Sequence, residues 1–412
     1  MSGLTRRGML QTTLAVAAAG AAGGCAVGAG DGGAASVASA GSATARQFHG
    51  AHQVGVVEHP AAFGLLAAFR VVAPDRGALA QTLRAVSAEA RNLVDGRTPE
   101  PVDPWEPPSD TGVLGVGQRT GVSVTVAVGA SLFDDRFGLR RARTRELTVM
   151  PYLANDRLDP DRTHGDVLVT LQADRPDALQ HALRQLMRRT RSGLVLHWVL
   201  DGYNRPDERP TPGRTDNRNL MGFKDGTANP DGTDPALMSQ LVWVGPRDGE
   251  PAWAVGGSYQ AVRTIRMFVE QWDRAPLREQ EQILGRHKVS GAPLGSSREE
   301  DEPDYAADPH GRQIPLDAHI HLANPRTPHA TATRMLRRGF SYSRGFDRAG
   351  QLDQGLAFVS YQRRLEHFLE VARRLKGEPL EEYTVTEGGG FFYVLPGARS
   401  ERDWLGRSLL EA

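Results

Sequence analysis

Apolar and polar residues recur along the chain with two periods, near 2 and near 3.6, and the switches between them mark out its elements. Leu65–Val72 reads as a strand, and Arg76–Val94 as a helix with Leu79, Leu83, Val86 and Ala90 on one face. A second strand is predicted over Val122–Val128, where Val122, Val124, Val126 and Val128 alternate with smaller residues. Asp166–Gln172 is a third strand, Pro176–Thr190 a helix opened by proline, and Leu194–Leu200 a fourth strand. The order is β-α-β, a long insertion, then β-α-β, the split pattern of a ferredoxin-like sheet. A similar order recurs downstream. Tyr259–Val269 alternates like a strand, Pro276–Leu284 reads as a helix, and Phe340–Tyr342 and Leu356–Tyr361 are short strands. Arg363–Leu375 is an amphipathic helix, and Phe391–Leu395 closes the pattern after a Gly388-Gly389-Gly390 turn. Residues 286–338 fit neither period; they are rich in Pro, Gly, His and Asp, and loops that long are usually functional. The predicted class is α+β, with two ferredoxin-like halves at residues 46–215 and 216–412 behind a leading segment at 1–45.

That leading segment has its own signature. Thr5-Arg6-Arg7-Gly8-Met9-Leu10-Gln11 precedes an Ala-rich apolar stretch from Leu14 to Ala22. A charged start before a short apolar core is the pattern of an export signal, too short to span a membrane stably. The paired arginines look like a twin-arginine signal, a route that exports folded proteins. Export would place the protein in the periplasm or outside the cell, at its surface included. Cys25 is the one cysteine, so no intrachain disulfide forms. Its place after the apolar core fits a lipid anchor, but also a residue discarded with a signal cut near Ala38-Ser39-Ala40 or Ala43-Thr44-Ala45. Residues 26–45 are nearly all Gly, Ala, Ser and Val, a flexible tether.

The chain has 412 residues, 40% hydrophobic and 24% charged, which suits a globular protein with more than one core. Lys+Arg and Asp+Glu both count 49, so no net field draws it to nucleic acid. Candidate chemistry comes from three segments. Gly222-Phe223-Lys224-Asp225-Gly226-Thr227-Ala228-Asn229-Pro230 sets a carboxylate among glycines and an Asn-Pro turn signal. Ala318-His319-Ile320-His321-Leu322-Ala323-Asn324-Pro325-Arg326 and Met335-Leu336-Arg337-Arg338-Gly339-Phe340 follow. A haem peroxidase needs an imidazole ligand, an acid-base group that moves a proton between peroxide oxygens, and a cation for the charge that builds as the O–O bond breaks. His319, Asp225 and Arg337 could supply those parts, with His321 and Arg338 as the competing neighbours.

Several blocks in order carry a family resemblance: Phe48-His49-Gly50-Ala51-His52-Gln53, Ser131-Leu132-Phe133-Asp134, Arg218-Asn219-Leu220-Met221 leading into Gly222-Phe223-Lys224-Asp225-Gly226, Trp272-Asp273-Arg274, and Ser290-Gly291-Ala292-Pro293-Leu294-Gly295. Together they resemble the dye-decolourising (DyP-type) peroxidases, in particular the EfeB-like deferrochelatase/peroxidase branch, over nearly all of the chain after its leading segment. The resemblance implies a dimeric α+β barrel-like architecture and one haem b per chain, lying against the second half. It implies Asp225 as the distal acid-base, Arg337 as the distal arginine and His319 as the axial iron ligand. Gly226, Thr227, Ala228, Asn324, Pro325 and Arg326, with Arg337, fall in segments that line the haem in such enzymes. An axial histidine usually passes its other N–H to a carboxylate, for which Glu381, Glu382 and Glu387 are candidates.

The implied reaction is reduction of hydrogen peroxide with one-electron oxidation of dye-like or phenolic substrates. Alternatives are a deferrochelatase that frees iron from haem, and a haem or iron-uptake accessory protein with little turnover. Hydrogen peroxide and a small reducing substrate are the expected partners. Iron-uptake components and further copies of the chain are additional candidates.

Overall fold

Valine- and leucine-rich segments with period-2 alternation form strands that pair in a computed structural model describing residues 47–97, 102–115, 120–205 and 218–412. The export-signal segment, Cys25 and the expected join at 215/216 lie outside the described residues. In the first half, β1 (Phe63–Val71) runs antiparallel between β3 (Val167–Ala173) and β4 (Leu194–Tyr203). β2 (Ser123–Gly129) pairs with the other edge of β3, giving the order β2-β3-β1-β4. In the second half, β5 (Ser258–Met267) lies between β8 (Leu352–Gln362) and β9 (Thr384–Val394). The two-residue β6 (Leu336–Arg337) and β7 (Phe340–Phe346) pair with the far edge of β8, giving β7-β8-β5-β9. Numbered within each half and leaving out the two-residue β6, both sheets read second, third, first, fourth. The two ferredoxin-like halves are one arrangement used twice.

The sheets meet at two seams and close into an eight-stranded barrel. At one seam β2 and β9 share the pairs Ala127↔Val394, Val128↔Tyr393 and Gly129↔Phe392. At the other, β4 and β7 share only Tyr203↔Ser341 among the described residues. Phe340, 2% exposed, plugs this looser seam; a side chain at Gly202 would strike its Cβ.

Alternation along the strands builds two cores. Leu65, Ala67 and Phe69 of β1 point outwards to α1 (Arg76–Asp95) and α2 (Pro176–Thr190), meeting Leu79, Leu83, Leu179 and Leu186. Leu66 and Ala68 point into the barrel with Ala127, Leu168, Trp198, Val262 and Phe392. This is the period-2 geometry of a sheet covered on both faces, which is why every residue of β2 and β3 is buried. The helix ends follow local chemistry: Asp75 accepts from Ala78 N at 2.8 Å, Gly96 ends α1 in the left-handed region, and Pro176 opens α2.

The second half carries α3 (Pro235–Leu241), α4 (Val269–Trp272), α5 (Leu277–Leu284), α6 (His319–Ala323), α7 (Pro328–Ala332), α8 (Leu365–Leu375) and α9 (Arg407–Leu410). Residues 286–338, expected as loop, hold the short α6, α7 and β6. The expected Gly388-Gly389-Gly390 turn is instead the interior of β9. A Cβ on Gly388 would collide with the Arg162 carbonyl and one on Gly389 with the Val262 carbonyl. These glycines therefore admit neighbouring backbone rather than reverse the chain.

Candidate haem site

The Asp225 loop is held from several sides before its carboxylate is presented. The Asn219 side-chain oxygen accepts from Met221 N (3.1 Å) and Phe223 N (3.2 Å), and Trp272 Nε1 donates to the Met221 carbonyl at 2.9 Å. Arg218 donates to the Gly222 carbonyl at 2.8 Å. Gly222 (φ +85°) and Gly226 (φ +101°) take backbone conformations that side chains disfavour, so the loop both turns tightly and displays the acid. Lys224 pairs with Glu299, and the Thr227 hydroxyl donates to the same carboxylate at 2.8 Å.

Asp225 then meets Arg337, with Nη1 3.1 Å from Oδ1. The neighbouring Arg338 turns the other way, buried with its guanidinium donating to the Val57 carbonyl at 2.9 Å. Asn229 fixes the spacing of loop and strand. Its Oδ1 accepts from Arg337 N at 2.8 Å while its Nδ2 donates to the Arg337 carbonyl at 2.9 Å. Asp225, Asn229 and Arg337 line a cleft with Asn204, Leu356 and Phe358, directly at the single-pair seam between the halves.

His319 opens α6, whose C-terminal carbonyls at Leu322 and Ala323 accept from Arg374 of α8 (both 3.0 Å). Its Nδ1 lies 2.7 Å from Glu378 Oε2. The carboxylate partner is therefore Glu378, not Glu381, Glu382 or Glu387; Glu387 instead joins Arg162, Arg266 and Arg344. Burial pulls the His319 pKa down, but the charge and hydrogen bond of Glu378 outweigh it and raise it, with Arg337 lowering and Asp225 raising it further. Both members of the Asp225–Arg337 pair thus act on this imidazole. In the neutral imidazole, with Nδ1–H given to Glu378, Nε2 carries the lone pair. His321 stacks on Tyr305 instead, ring centroids 4.1 Å apart.

Around these groups lies a cluster of arginines, of which Arg326 pairs with Glu302 at 3.0 Å. Burial and the neighbouring Arg326 both lower the pKa of Arg286 and of Arg334, and Arg337 also acts on Arg286. Arg326 sits in the left-handed region (φ +59°), its amide donating to Asn324 Oδ1 at 3.2 Å, with Pro325 half-buried between them. Gly226, Thr227 and Ala228 follow the acid in the loop, half-buried except for Ala228, which is exposed. Asn229, Glu378, Arg286, Tyr305 and Arg334 are site residues the sequence did not single out. Asn229 was visible only as half of an Asn-Pro turn signal, and Glu378 only as an extended residue before Pro379.

The Dyp-type peroxidase C-terminal family matches residues 216–399, and its N-terminal counterpart matches 53–204. A protein named deferrochelatase from Shigella flexneri serotype 5b is 47% identical over 367 residues, covering 88% of this chain and 87% of its own. The chain belongs to the Dyp-type peroxidase family. Ferric DtpA from Streptomyces lividans superposes with a TM-score of 0.78 at 35% identity, over 89% of this chain and 97% of that one. The DyP-type peroxidase from Cellulomonas bogoriensis gives 0.77 at 36% identity, over 88% and 97%.

Membership makes the protein a haem-dependent peroxidase, and its residues fit that cofactor. Buried polar atoms without a hydrogen-bond partner among the described residues include Tyr305 Oη, His321 Nδ1 and Arg326 Nε. Burial pushes the Tyr305 phenol up to about 12 despite Arg326 and Arg286 nearby. Unpaired donors beside clustered arginines suit the carboxylates of a porphyrin. Apolar surface is left for its ring: α6 buries none of its residues despite Ile320 and Leu322, and Leu356 and Phe358 of β8 are only half-buried.

Proposed function

We propose that His319 is the axial iron ligand and that Asp225 and Arg337 form the peroxide-handling pair on the other face. The observation that carries this is the His319–Glu378 hydrogen bond, which directs Nε2 to metal, close to the Asp225–Arg337 ion pair. Haem, when bound, would supply the iron at which peroxide is reduced. Asp225 takes the proton from the oxygen nearer the iron and returns it to the far oxygen, which leaves as water. Arg337 donates to the peroxide and offsets the negative charge that builds on the departing oxygen. Glu378 keeps the imidazole in one tautomer and makes it more electron-donating. Arg326, Arg334 and Tyr305 hold the porphyrin carboxylates. Gly226, Thr227, Ala228, Asn324 and Pro325 line its edges.

The test is a pair of substitutions followed by absorbance. His319→Ala should lose haem on purification and fail to recover a Soret band on reconstitution. Asp225→Ala should keep haem yet react with peroxide about 10²–10⁴-fold more slowly, the range for a positioned acid-base group. Wild-type kinetics in Asp225→Ala would refute the proton-transfer role.

A second reading rests on the deferrochelatase name of the Shigella relative: removal of iron from haem with the porphyrin left whole. Anaerobic incubation with haem should then release metal-free porphyrin, read by its red fluorescence. An absence of that fluorescence while peroxidase turnover persists sinks this reading alone. For location, we infer twin-arginine export to the periplasm or cell exterior from Arg6-Arg7 and the apolar stretch behind them, with Cys25 as the lipid attachment point if the chain is anchored. Arg6→Lys with Arg7→Lys should trap the protein in the cytoplasm, and palmitate labelling that survives Cys25→Ala would rule out that anchor. A homo-oligomer and iron-uptake partners fit the same export route, and sedimentation of the haem-loaded protein tests the former.

A further inference from the structure

A second cleft lies in the first half, among the end of β1 (Arg70, Val72), the turn at Ser131–Arg136, the segment Tyr152–Asp166 and His197 on β4. Its volume of about 520 Å³ is in the range that holds a bicyclic organic molecule. None of the groups assigned to peroxide chemistry lines it.

The floor is preorganised and charge-balanced. Asp166 is the one carboxylate lining the cleft, and it accepts from Val71 N (2.8 Å), Ser131 Oγ (2.6 Å) and both terminal nitrogens of Arg136 (3.1 and 3.2 Å). One wall is strained. His164 occupies the left-handed region at φ +65°, held there because its amide donates to Gly389 O at 2.7 Å and its carbonyl accepts from the Trp198 indole at 2.6 Å. Non-glycine strain that the surroundings pin from both sides clusters at functional sites.

The other wall is cationic. Arg70 has no carboxylate partner among the described residues; its polar contact is His197 Nε2 at 3.5 Å, and that nitrogen also lies 3.2 Å from the Thr163 carbonyl. Burial and the nearby His197 lower the pKa of His164, so it stays a neutral donor-acceptor at neutral pH. The mouth is apolar and open, with Tyr152 72% exposed and Val72 50% exposed beside Leu158 and Pro160. A guanidinium without a carboxylate partner, held beside His197, and an exposed phenol ring beside apolar side chains match one chemistry: a flat ring carrying one anionic group.

We propose that this cleft is a second binding site, for an anionic aromatic compound of the aryl sulfonate or aryl carboxylate class. The anion sits against the Arg70 guanidinium, and the ring lies between Tyr152 and Val72. The site needs no haem chemistry and stands independently of the peroxidase reading.

Isothermal titration of the haem-loaded protein with naphthalene-2-sulfonate tests it. One molar equivalent should bind. Arg70→Ala should weaken binding about tenfold or more, the effect of losing a hydrogen bond to a charged group. Arg70→Lys should recover part of that loss, and Tyr152→Ala should weaken binding without touching the charge. The neutral naphthalene-2-sulfonamide should bind about tenfold more weakly than the sulfonate for the same reason. Arg70 and Tyr152 are exposed, so the variants keep the fold, checked by circular dichroism and the haem spectrum. Absence of binding by the wild type overturns the proposal. So does unchanged affinity in both Arg70→Ala and Tyr152→Ala, which would place the probe elsewhere, such as the Arg337 cleft.

Discussion

α2 and α8 hold equivalent places, each between the third and fourth strands of its half, yet they are covered very differently. α2 buries Ala178, Leu179, His181, Ala182, Leu183, Gln185, Leu186 and Thr190 against its sheet and α1. α8 buries only Leu365 and Phe368, leaving Leu369, Val371 and Ala372 partly exposed beside α6. One arrangement of strands thus serves two ends. In the first half protein fills the space over the sheet; in the second, apolar surface and unpaired polar atoms are left beside α6 and α8. On the proposed assignment, the cofactor would complete that core.

Removing haem should break the symmetry most strongly. Amides of α6 and α8 should lose hydrogen-exchange protection by about a hundredfold, since a ligand at 100 times its dissociation constant adds about 2.7 kcal/mol to the structure it binds. Amides of α1 and α2 should change little. Equal loss in both halves would mean that haem supports the barrel as a whole and not the second half alone.

Truncating matched leucines sharpens the same contrast. Leu179→Ala in α2 should cost about 2–5 kcal/mol by chemical denaturation with or without haem, because it opens a cavity in a closed core. Leu369→Ala should cost the haem-free protein less than Leu179→Ala, since Leu369 is only partly buried against the core. Its larger effect should appear as weaker haem retention. A loss for Leu369→Ala as large as that for Leu179→Ala in the haem-free protein would show α8 already packed.

Much of this division was legible in the sequence, and its gaps have physical causes. Strands and helices of the first half came through because local periodicity and tertiary burial agree there: Val122 to Val128 alternate, Pro176 opens α2, and an apolar stripe runs along α1. The second half was harder to read. Gly388-Gly389-Gly390 signalled a turn because glycine permits one, whereas the close approach of Arg162 and Val262 backbone is non-local and leaves no local trace. Asp225 and His319 stood out through their flanking motifs. Glu378, which orients His319, did not, because a Glu between Gly377 and Pro379 reads as an ordinary helix exit. Nor did any local pattern reveal that the barrel closes at one seam by three pairs and at the other by one.

The weaker seam makes Asn229 the next place to probe. Asn229→Ala removes both hydrogen bonds to the Arg337 backbone; the N–H loses its Asn229 acceptor, while the carbonyl keeps only Arg338 Nη1 at 3.1 Å. Stability should fall by about 1–3 kcal/mol, the range for leaving buried polar groups unpaired. Peroxide reactivity should fall about tenfold or more, because small misplacements of a catalytic group are costly. Asn229→Asp keeps the acceptor for Arg337 N and should recover part of the rate. Full reactivity in Asn229→Ala, measured by stopped-flow absorbance, would show that Arg337 is positioned by β6 alone.

A smaller effect tests a contact that joins the halves away from the cleft. His52, ahead of β1, stacks on Trp243 with centroids 3.9 Å apart, and its Nδ1 lies 2.7 Å from the Gly256 carbonyl. Burial lowers its pKa below the ordinary 6.5, although the bond to Gly256 pulls the other way. The folded protein therefore holds this imidazole neutral where the unfolded chain would protonate it. The unfolded state binds more protons in that window, so stability is fully present above pH 6.5 and is lost as pH falls towards the depressed folded value. His164 and His367, also lowered by burial, add to the same slope. Denaturation between pH 7 and 5 should show the decline, at most about 1.4 kcal/mol per pH unit for each group. His52→Phe keeps the stack and removes the titration. It should cost about 1 kcal/mol at pH 7 through the lost hydrogen bond, yet flatten the acid slope. A slope as steep as that of the wild type would mean that His52 accepts its proton in place, and that the contact between the halves tolerates the charge.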